Sequence, residues 1–421
     1  MSKKSTKKNV KRAAKVARKN PKIVIAVAII LIVAIVGVSI YGLYRFDWNA
    51  GALLDYIQDV FNGSQGGSNS GTGSDVSTPS GSTPSGSTPS GTVNVEKNFP
   101  ESGVITEGEL QIHFFEFGNG DDGDCILIKY GDVDILVDGG SDTSCLSTIC
   151  GYLDMWVTDD VIEYCIVTHA DLDHIANFAG TTKKNTSLFE LYEFRTIIDF
   201  PLTDKTTKAY DRYVQNRNAV IDADTVHYTA LQCWNNSDGA RRSYEIAEGV
   251  SINFLYNYFY ENKSSDENNY SVCFTVVQEE KTFLFTGDLE KKGEEYLVQY
   301  NDLCEVEFFK AGHHGSATSS NDCLLSIIKP KICVATGIAG KTSQYNFPRQ
   351  EFIDRISKYT ELVYIPSYSV DGSSNAASLN GDIIISSTIT TTTVYCKVST
   401  TVLKDTEWFK NNRTMPSTWA A

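Results

Sequence analysis

Four of the six histidines in this 421-residue chain fall in two short segments, Thr168-His169-Ala170-Asp171-Leu172-Asp173-His174 and Gly312-His313-His314-Gly315-Ser316. Imidazole nitrogens and carboxylate oxygens at alternate positions suit a divalent cation. They replace its water shell, and the ion's charge offsets repulsion between the carboxylates. Phe285-Thr286-Gly287-Asp288 lies between the two segments and adds a carboxylate after an apolar run. A lone His-x-Asp is usually surface or capping chemistry, and Asp173 alone would make a good helix N-cap. Two strand-end motifs with a Gly-Asp between them form a far more specific pattern, and that pattern points to a metal site.

Positioning these side chains requires strands that end at them. Val161 to Val167 reads as a buried strand running into Thr168-His169, so His169 is placed at a strand's carboxyl end, where open sheets hold their ligands. His169 and Asp171, two apart in extended chain, point the same way. Asp173 and His174 then open a helix with Ile175 and Phe178 on its buried face. Two ligands from the loop and two from the helix start suit a pair of metals that clamp the attacking and leaving oxygens of a displacement. Asp288 would bridge them, and His313 or His314 would complete the second ion's ligands. Lys310 ends the strand before the twin imidazoles, where an ammonium holds a phosphate or a developing oxyanion, or is simply a solvated strand end. Ser316 to Ser320 with Asn321 reads as a helix-capping run. His113, inside a strand, reads as a packed or outer-shell residue, and His227 as surface or core.

Around these motifs, apolar runs alternate with amphipathic ones. Strands are expected at Leu110 to Phe117, Cys125 to Tyr130, Val133 to Val137, Ser251 to Tyr256, Cys273 to Gln278, Thr282 to Phe285, Val306 to Lys310, Ile332 to Thr336 and Leu362 to Ile365. Helices are expected at Cys145 to Trp156, Glu290 to Gln299, Asn321 to Ile328 and Arg349 to Tyr359, with a strand-rich tail from Ile383. This order implies an α/β fold with helices outside two packed sheets.

The formal charge of −15 hides an asymmetry: residues 1–22 hold ten Lys or Arg and no acid, leaving 27 basic against 52 acidic residues, a net −25, in the rest. Such a body repels polyanions at long range and counts against a protein that wraps nucleic acid. Residues 23–44 carry no charge and are long enough for a transmembrane helix. The preceding basic tail (1–22) should stay cytoplasmic, so the rest of the chain lies outside the cell. Residues 45–61 read as a juxtamembrane segment with Trp48 and Tyr56 as interfacial anchors, 62–98 as a Gly/Ser/Thr/Pro-rich linker, and 99–421 as the globular domain. Ten cysteines without a Cys-x-x-Cys sit uneasily with an oxidising exterior; Cys125, Cys165, Cys273 and Cys396 read as small buried hydrophobes.

From about Leu110 to Ser386 the chain resembles the metallo-β-lactamase fold superfamily, and more narrowly the extracellular domain of the ComEC competence proteins. The marks are His113-Phe114, Phe117-Gly118-Asn119-Gly120, Asp124-Cys125-Ile126-Leu127-Ile128, Leu136-Val137-Asp138-Gly139-Gly140, Thr168 to His174, Asn269-Tyr270-Ser271-Val272, Phe285 to Asp288, and Lys310 to Ser316. The resemblance implies a four-layer αββα sandwich with a two-metal site at one edge. It carries the metal-ligand roles onto His169, Asp171, Asp173, His174 and Asp288, and His313, or His314 in its place, is the further metal candidate. Asp171 stands where many members have His, which makes the site richer in oxygen and hospitable to manganese as well as zinc. There are departures. No clear counterpart exists for a histidine that many members supply between the first motif and the Gly-Asp. The turn at Asp121-Asp122-Gly123 carries extra residues, and Phe347 stands where the family's late motif has His. With one apolar span, the multi-helix competence channel is missing.

The implied chemistry is metal-assisted phosphodiester hydrolysis. Asp288 bridges the ions, Asp173 orients or deprotonates the attacking water, and His314 or Lys310 stabilises the developing charge. DNA or a small phosphodiester is the expected substrate, the membrane is engaged through the N-terminal helix, and no obligate protein partner is implied. Hydrolysis of another ester, lactone or β-lactam is the alternative, along with a non-catalytic surface module that keeps the fold.

Overall fold

A computed structural model describes residues 93–420 apart from 102, 104, 119–122, 182–185 and 342–345. The basic tail, the apolar span 23–44, the juxtamembrane segment and the linker up to residue 92 lie outside the described residues, as do Asp121 and Asp122. Among the described residues no helix is long and apolar enough to cross a membrane.

Two large mixed sheets dominate. The first holds β1 (Val93–Glu96), β2 (Leu110–Phe114), β3 (Ile126–Tyr130), β4 (Val133–Val137), β5 (Val161–Ile166), β6 (Glu193–Asp199), β7 (Val226–Thr229), β18 (Ile383–Ser387) and β19 (Thr392–Cys396), in the order β1-β19-β18-β2-β3-β4-β5-β6-β7. The second holds β8 (Ser243–Ala247), β9 (Val250–Phe254), β10 (Phe274–Gln278), β11 (Lys281–Phe285), β12 (Phe308–Lys310), β13 (Ile332–Val334) and β15 (Leu362–Tyr364), in the order β15-β13-β12-β11-β10-β9-β8. A small third sheet joins β14 (Ile338–Ala339), β16 (Ser367–Ser369) and β17 (Ala376–Ser378). The helices are α1 (Leu146–Trp156), α2 (Leu172–Ala179), α3 (Leu188–Leu191), α4 (Lys208–Val220), α5 (Ala230–Asn235), α6 (Lys291–Tyr300), α7 (Asp322–Ile328), α8 (Gln350–Ile356) and α9 (Glu407–Asn412).

The period-two pattern of the second sheet explains the layering. Phe283, Phe285, Phe308, Ile332, Val334 and Tyr364 share one core with the first sheet. Their neighbours Leu284, Phe309, Cys333 and Val363 join a second core with Leu297 of α6, Leu325 of α7 and Phe352 of α8. Successive strand residues point to opposite faces, so this sheet is covered on both sides. The sheets meet face to face where the rings of Phe114 and Phe308 lie 5.4 Å apart. Ile126, Leu127 and Ile128 are all buried in succession, as a strand covered on both faces requires; Ile149 and Leu153 of α1 and Phe178 of α2 belong to the same core. Truncating one such core phenylalanine to alanine costs about 3–5 kcal/mol.

Several expectations shift. Strand pairing begins at Val93, inside the segment read as linker, because β1 pairs in parallel with β19 from Val93↔Thr392. Its residues are mostly exposed, so no apolar alternation marks it. Strand β2 stops at Phe114, and the tail adds helix α9 after its strands. Parallel pairing of β4 with β5 and of β11, β12 and β13 brings the carboxyl ends of these strands to one edge, and the site is built there.

Candidate metal centre

Asp173, His174, Asp288 and His314 each bring a donor atom to within 4.8 Å of the others. Nε2 of His174 and of His314 both lie 3.3 Å from Oδ2 of Asp288. Oδ2 of Asp173 is 3.4 Å from Nε2 of His314 and 4.0 Å from Nε2 of His174.

The imidazoles are aimed from behind. Oδ2 of Asp138 accepts from Nδ1 of His174 at 2.7 Å and from the Thr168 hydroxyl at 2.7 Å. With its proton on Asp138, the Thr168 oxygen is left to accept from Nδ1 of His169 at 3.1 Å. The Thr336 hydroxyl donates to Asp124 at 2.5 Å, which leaves its oxygen to accept from Nδ1 of His314 at 2.9 Å. Each Nδ1 therefore carries a proton, which leaves Nε2 as the nitrogen that would offer its lone pair to a metal, a proton being displaced from His174 and His314 when it does. All three Nε2 atoms are buried without a hydrogen-bond partner. Buried polar atoms left unpaired are costly, and a metal ion is the partner that three lone pairs beside three carboxylates fit.

The charges agree. Burial by itself would raise the carboxyl of Asp288, but His314, His174 and Lys310 outweigh it and hold the group well below the usual range. Asp173 is likewise lowered against burial, by its bond to His314 and by His174. His174 is raised well above the usual imidazole value: burial would lower it, and Asp288 and Asp138 overcome that. His314 rises for the same reason, under Asp288 and Asp124.

Lys310 is no solvated strand end. It is buried, with Nζ 2.5 Å from Oδ2 of Asp124 and 3.4 Å from Oδ1 of Asp288. It acts on the site as a counter-ion behind Asp288. The twin histidines divide. His314 joins the four-donor cluster, whereas His313 is partly exposed at the rim, with Nε2 3.9 Å from Asp288 and Nδ1 3.8 Å from Glu290. The geometry thus favours His314 as the ligand and gives His313 the outer position. Both adopt left-handed backbone, with φ of 47° and 54°. Such conformations cost about 1–3 kcal/mol each and persist only where the surroundings enforce them. The turn is tied at both ends: the His313 N–H donates to the Gly287 carbonyl at 3.3 Å and the Gly312 N–H to the Ser320 hydroxyl at 3.0 Å, while Arg355 donates to the carbonyls of Ala317, Ser319 and Ser320 at 2.8–3.0 Å. The buried Glu294 carboxylate accepts from the backbone N–H groups of Ser320 and Asn321. Helix α7 is capped by this carboxylate, since the Asn321 side chain makes no capping bond of its own.

A close approach fixes the other wall. Gly123 has φ of 96°, and a Cβ there would fall 2.2 Å from the Asp173 carbonyl oxygen. That carbonyl accepts from the Asp124 N–H at 3.1 Å, while the Gly139 N–H donates to the His174 carbonyl at 2.7 Å.

His169 and Asp171 form a second pair, with Nε2 3.5 Å from Oδ2. The Lys205 ammonium lies on the other oxygen of Asp171. A cavity of about 340 Å³ opens over the centre, lined by Asp171, Asp173, Asp288, His313, His314 and Phe347. The Phe347 ring stands 5.5 Å from that of His313 and 6.0 Å from that of His314. A depression of about 430 Å³ bordered by Arg349 and Arg413 carries no imidazole. His113 is packed against Trp156 and bonded to Tyr152 and Gln111. His227 pairs with Asp199 at 2.8 Å. Neither joins the cluster. All ten cysteines are free thiols.

A model described as the Metallo-beta-lactamase superfamily matches residues 266–334, which hold Asp288, Lys310, His313 and His314. Competence protein ComA of Neisseria gonorrhoeae is 35% identical over 123 residues, 28% of this chain and 17% of that protein. Recombination protein 2 of Haemophilus influenzae is 29% identical over 97 residues, 23% of this chain and 12% of its own length. ComE operon protein 3 of Bacillus subtilis is 27% identical over 96 residues, again 23% and 12%. The chain therefore spans less than a fifth of each relative it matches. The metallo-beta-lactamase fold protein YhfI of Bacillus subtilis is similar over 61% of this chain and 96% of its own at 13% identity, with a TM-score of 0.38, too distant to carry an argument. Residues 266–334 are thus similar to the metallo-β-lactamase superfamily, and about a quarter of the chain resembles competence proteins of the ComEC type.

Proposed function

We propose that this chain is a membrane-anchored, extracytoplasmic, metal-dependent hydrolase that cleaves phosphodiesters in DNA or a related molecule. The observation that carries the reading is the cluster of Asp173, His174, Asp288 and His314, with imidazole lone pairs aimed at its centre beneath an open cavity. These four side chains would hold a divalent ion, and their mix of nitrogen and oxygen suits zinc or manganese. Bound there, the ion supplies Lewis acidity toward a phosphoryl oxygen and acidifies water at neutral pH. Asp173, exposed to the cavity on one side, accepts a hydrogen bond from the attacking water and fixes its direction. His313 lines the rim of the cavity beside Glu290, where it would contact a bound substrate. Lys310 offsets the charge of Asp288 and Asp124 from behind. The names of the matched relatives, competence and recombination, support DNA as the substrate.

One observation favours a second reading. The body carries a net −25 and its cavity is lined by carboxylates, which opposes a long polyanion and suits a lactone, a β-lactam or another ester. A panel on the full chain, purified in detergent and supplied with Mn²⁺ or Zn²⁺, separates them. It would hold bis-p-nitrophenyl phosphate, single- and double-stranded DNA, a lactone and a chromogenic cephalosporin. Phosphodiester turnover that falls to background on chelation and in Asp173→Ala is expected. Turnover unchanged in Asp173→Ala removes the mechanism, and turnover of the lactone or cephalosporin alone moves the chain to the second reading.

A further inference from the structure

Beside the four-donor cluster, His169 and Asp171 offer one imidazole lone pair and one carboxylate. Among the described residues no third His, Cys, Asp or Glu donor gathers with them. Firm sites for such ions take three or more protein ligands. What does stand there is a cation belonging to the chain itself: the Lys205 ammonium, on Oδ1 of Asp171, while His169 faces Oδ2.

Lys205 is not a stray surface side chain. Glu267 accepts from the Thr203 hydroxyl at 2.7 Å and the Asp204 N–H at 3.1 Å, both in the loop that carries Lys205. The same carboxylate accepts from the Ala170 N–H at 3.3 Å, between His169 and Asp171. The Lys205 N–H closes the loop on the Thr203 hydroxyl oxygen at 3.0 Å. One half-buried carboxylate thus staples the lysine loop to the loop of His169 and Asp171 and sets the ammonium on the carboxylate that a second divalent ion would need. An ammonium held there already neutralises Asp171 and repels a further cation.

We propose that Lys205 takes the place of a second divalent ion, so that the chain binds one ion firmly, through Asp173, His174, Asp288 and His314. The proposal rests on the metal reading above and concerns only the number of ions. The test is the stoichiometry of Mn²⁺ and Zn²⁺ binding to the full chain in detergent, by calorimetric titration and by elemental analysis after gel filtration. Wild type should take one equivalent, and His169→Ala should still take one. Lys205→Met, which keeps length and loses charge, should take a second, weaker equivalent. Adding His169→Ala to it should return the count to one, and Lys205→Arg should stay at one. Two firm equivalents in wild type would overturn the proposal, as would a single equivalent in Lys205→Met. Wild type that binds no ion would instead sink the metal reading itself, so the two failures are distinguishable.

Discussion

Oδ2 of Asp138 and Nδ1 of His174 lie 2.7 Å apart, both fully buried, with the Thr168 hydroxyl donating to the same carboxylate oxygen. Asp138 therefore fixes the tautomer of His174 directly and that of His169 through Thr168. It touches no donor atom of the cluster, yet two imidazoles owe their direction to it.

Asp138→Asn should consequently weaken metal binding without removing a ligand. Loss of such an outer partner costs about 10–100-fold in affinity. Competition titration against a chromogenic zinc chelator measures this, and an unchanged dissociation constant would show that Asp138 only packs.

The pH dependence follows from the same contacts. Burial lowers and the neighbouring carboxylates raise the two cluster imidazoles, with a net rise for His174 and His314. A histidine raised above its unfolded value of 6.5 gives stability that is complete below that value and is lost as pH climbs through the raised one. The metal-free chain should therefore lose stability as the solution turns alkaline. Metal binding must displace those protons, so affinity rises over the same interval. Melting curves of chelated and metal-loaded chain should therefore diverge progressively as pH rises above the ordinary imidazole value of 6.5. Convergence would contradict the assignment.

Arg355→Ala removes the donor to three carbonyls in the loop that ends the twin-histidine turn. Hydrogen bonds to charged groups contribute about 1.5–3 kcal/mol each, and relaxation recovers part of the sum. A fall in melting temperature and weaker metal binding are expected together, because Arg355 fixes Ser320, whose hydroxyl accepts from the Gly312 N–H next to the twin histidines. Lower stability with unchanged affinity would mean that the loop keeps its shape without the clamp.

Much of the candidate site was legible because its imidazoles and carboxylates travel in short motifs that follow apolar strands. His169, Asp171, Asp173 and His174 come directly after β5, and Asp288 directly after β11. The helix opened by Leu172 and the positions of the central strands β2 to β5 and β9 to β13 were readable on the same periodicity. What the motifs could not show were contacts between distant single residues. Thr336 reaches Asp124 across 212 positions, and Glu267 reaches Ala170 across 97. Lys205 sits in a loop with no apolar rhythm. The division of labour between His313 and His314 was equally hidden, since it depends on two left-handed residues turning adjacent rings apart. Strands β6 to β8 escaped notice because their burial is irregular, as Glu193–Asp199 shows. The membrane span and linker lie outside the described residues, so the anchoring remains part of the proposal.

X-ray absorption on the zinc-loaded full chain examines the metal centre without relying on any substrate. The account predicts nitrogen and oxygen neighbours with the multiple-scattering signature of two imidazoles, from His174 and His314, reduced to one in His314→Ala and unaltered in His313→Ala. A spectrum dominated by sulfur, or one that His314→Ala leaves untouched, would contradict it.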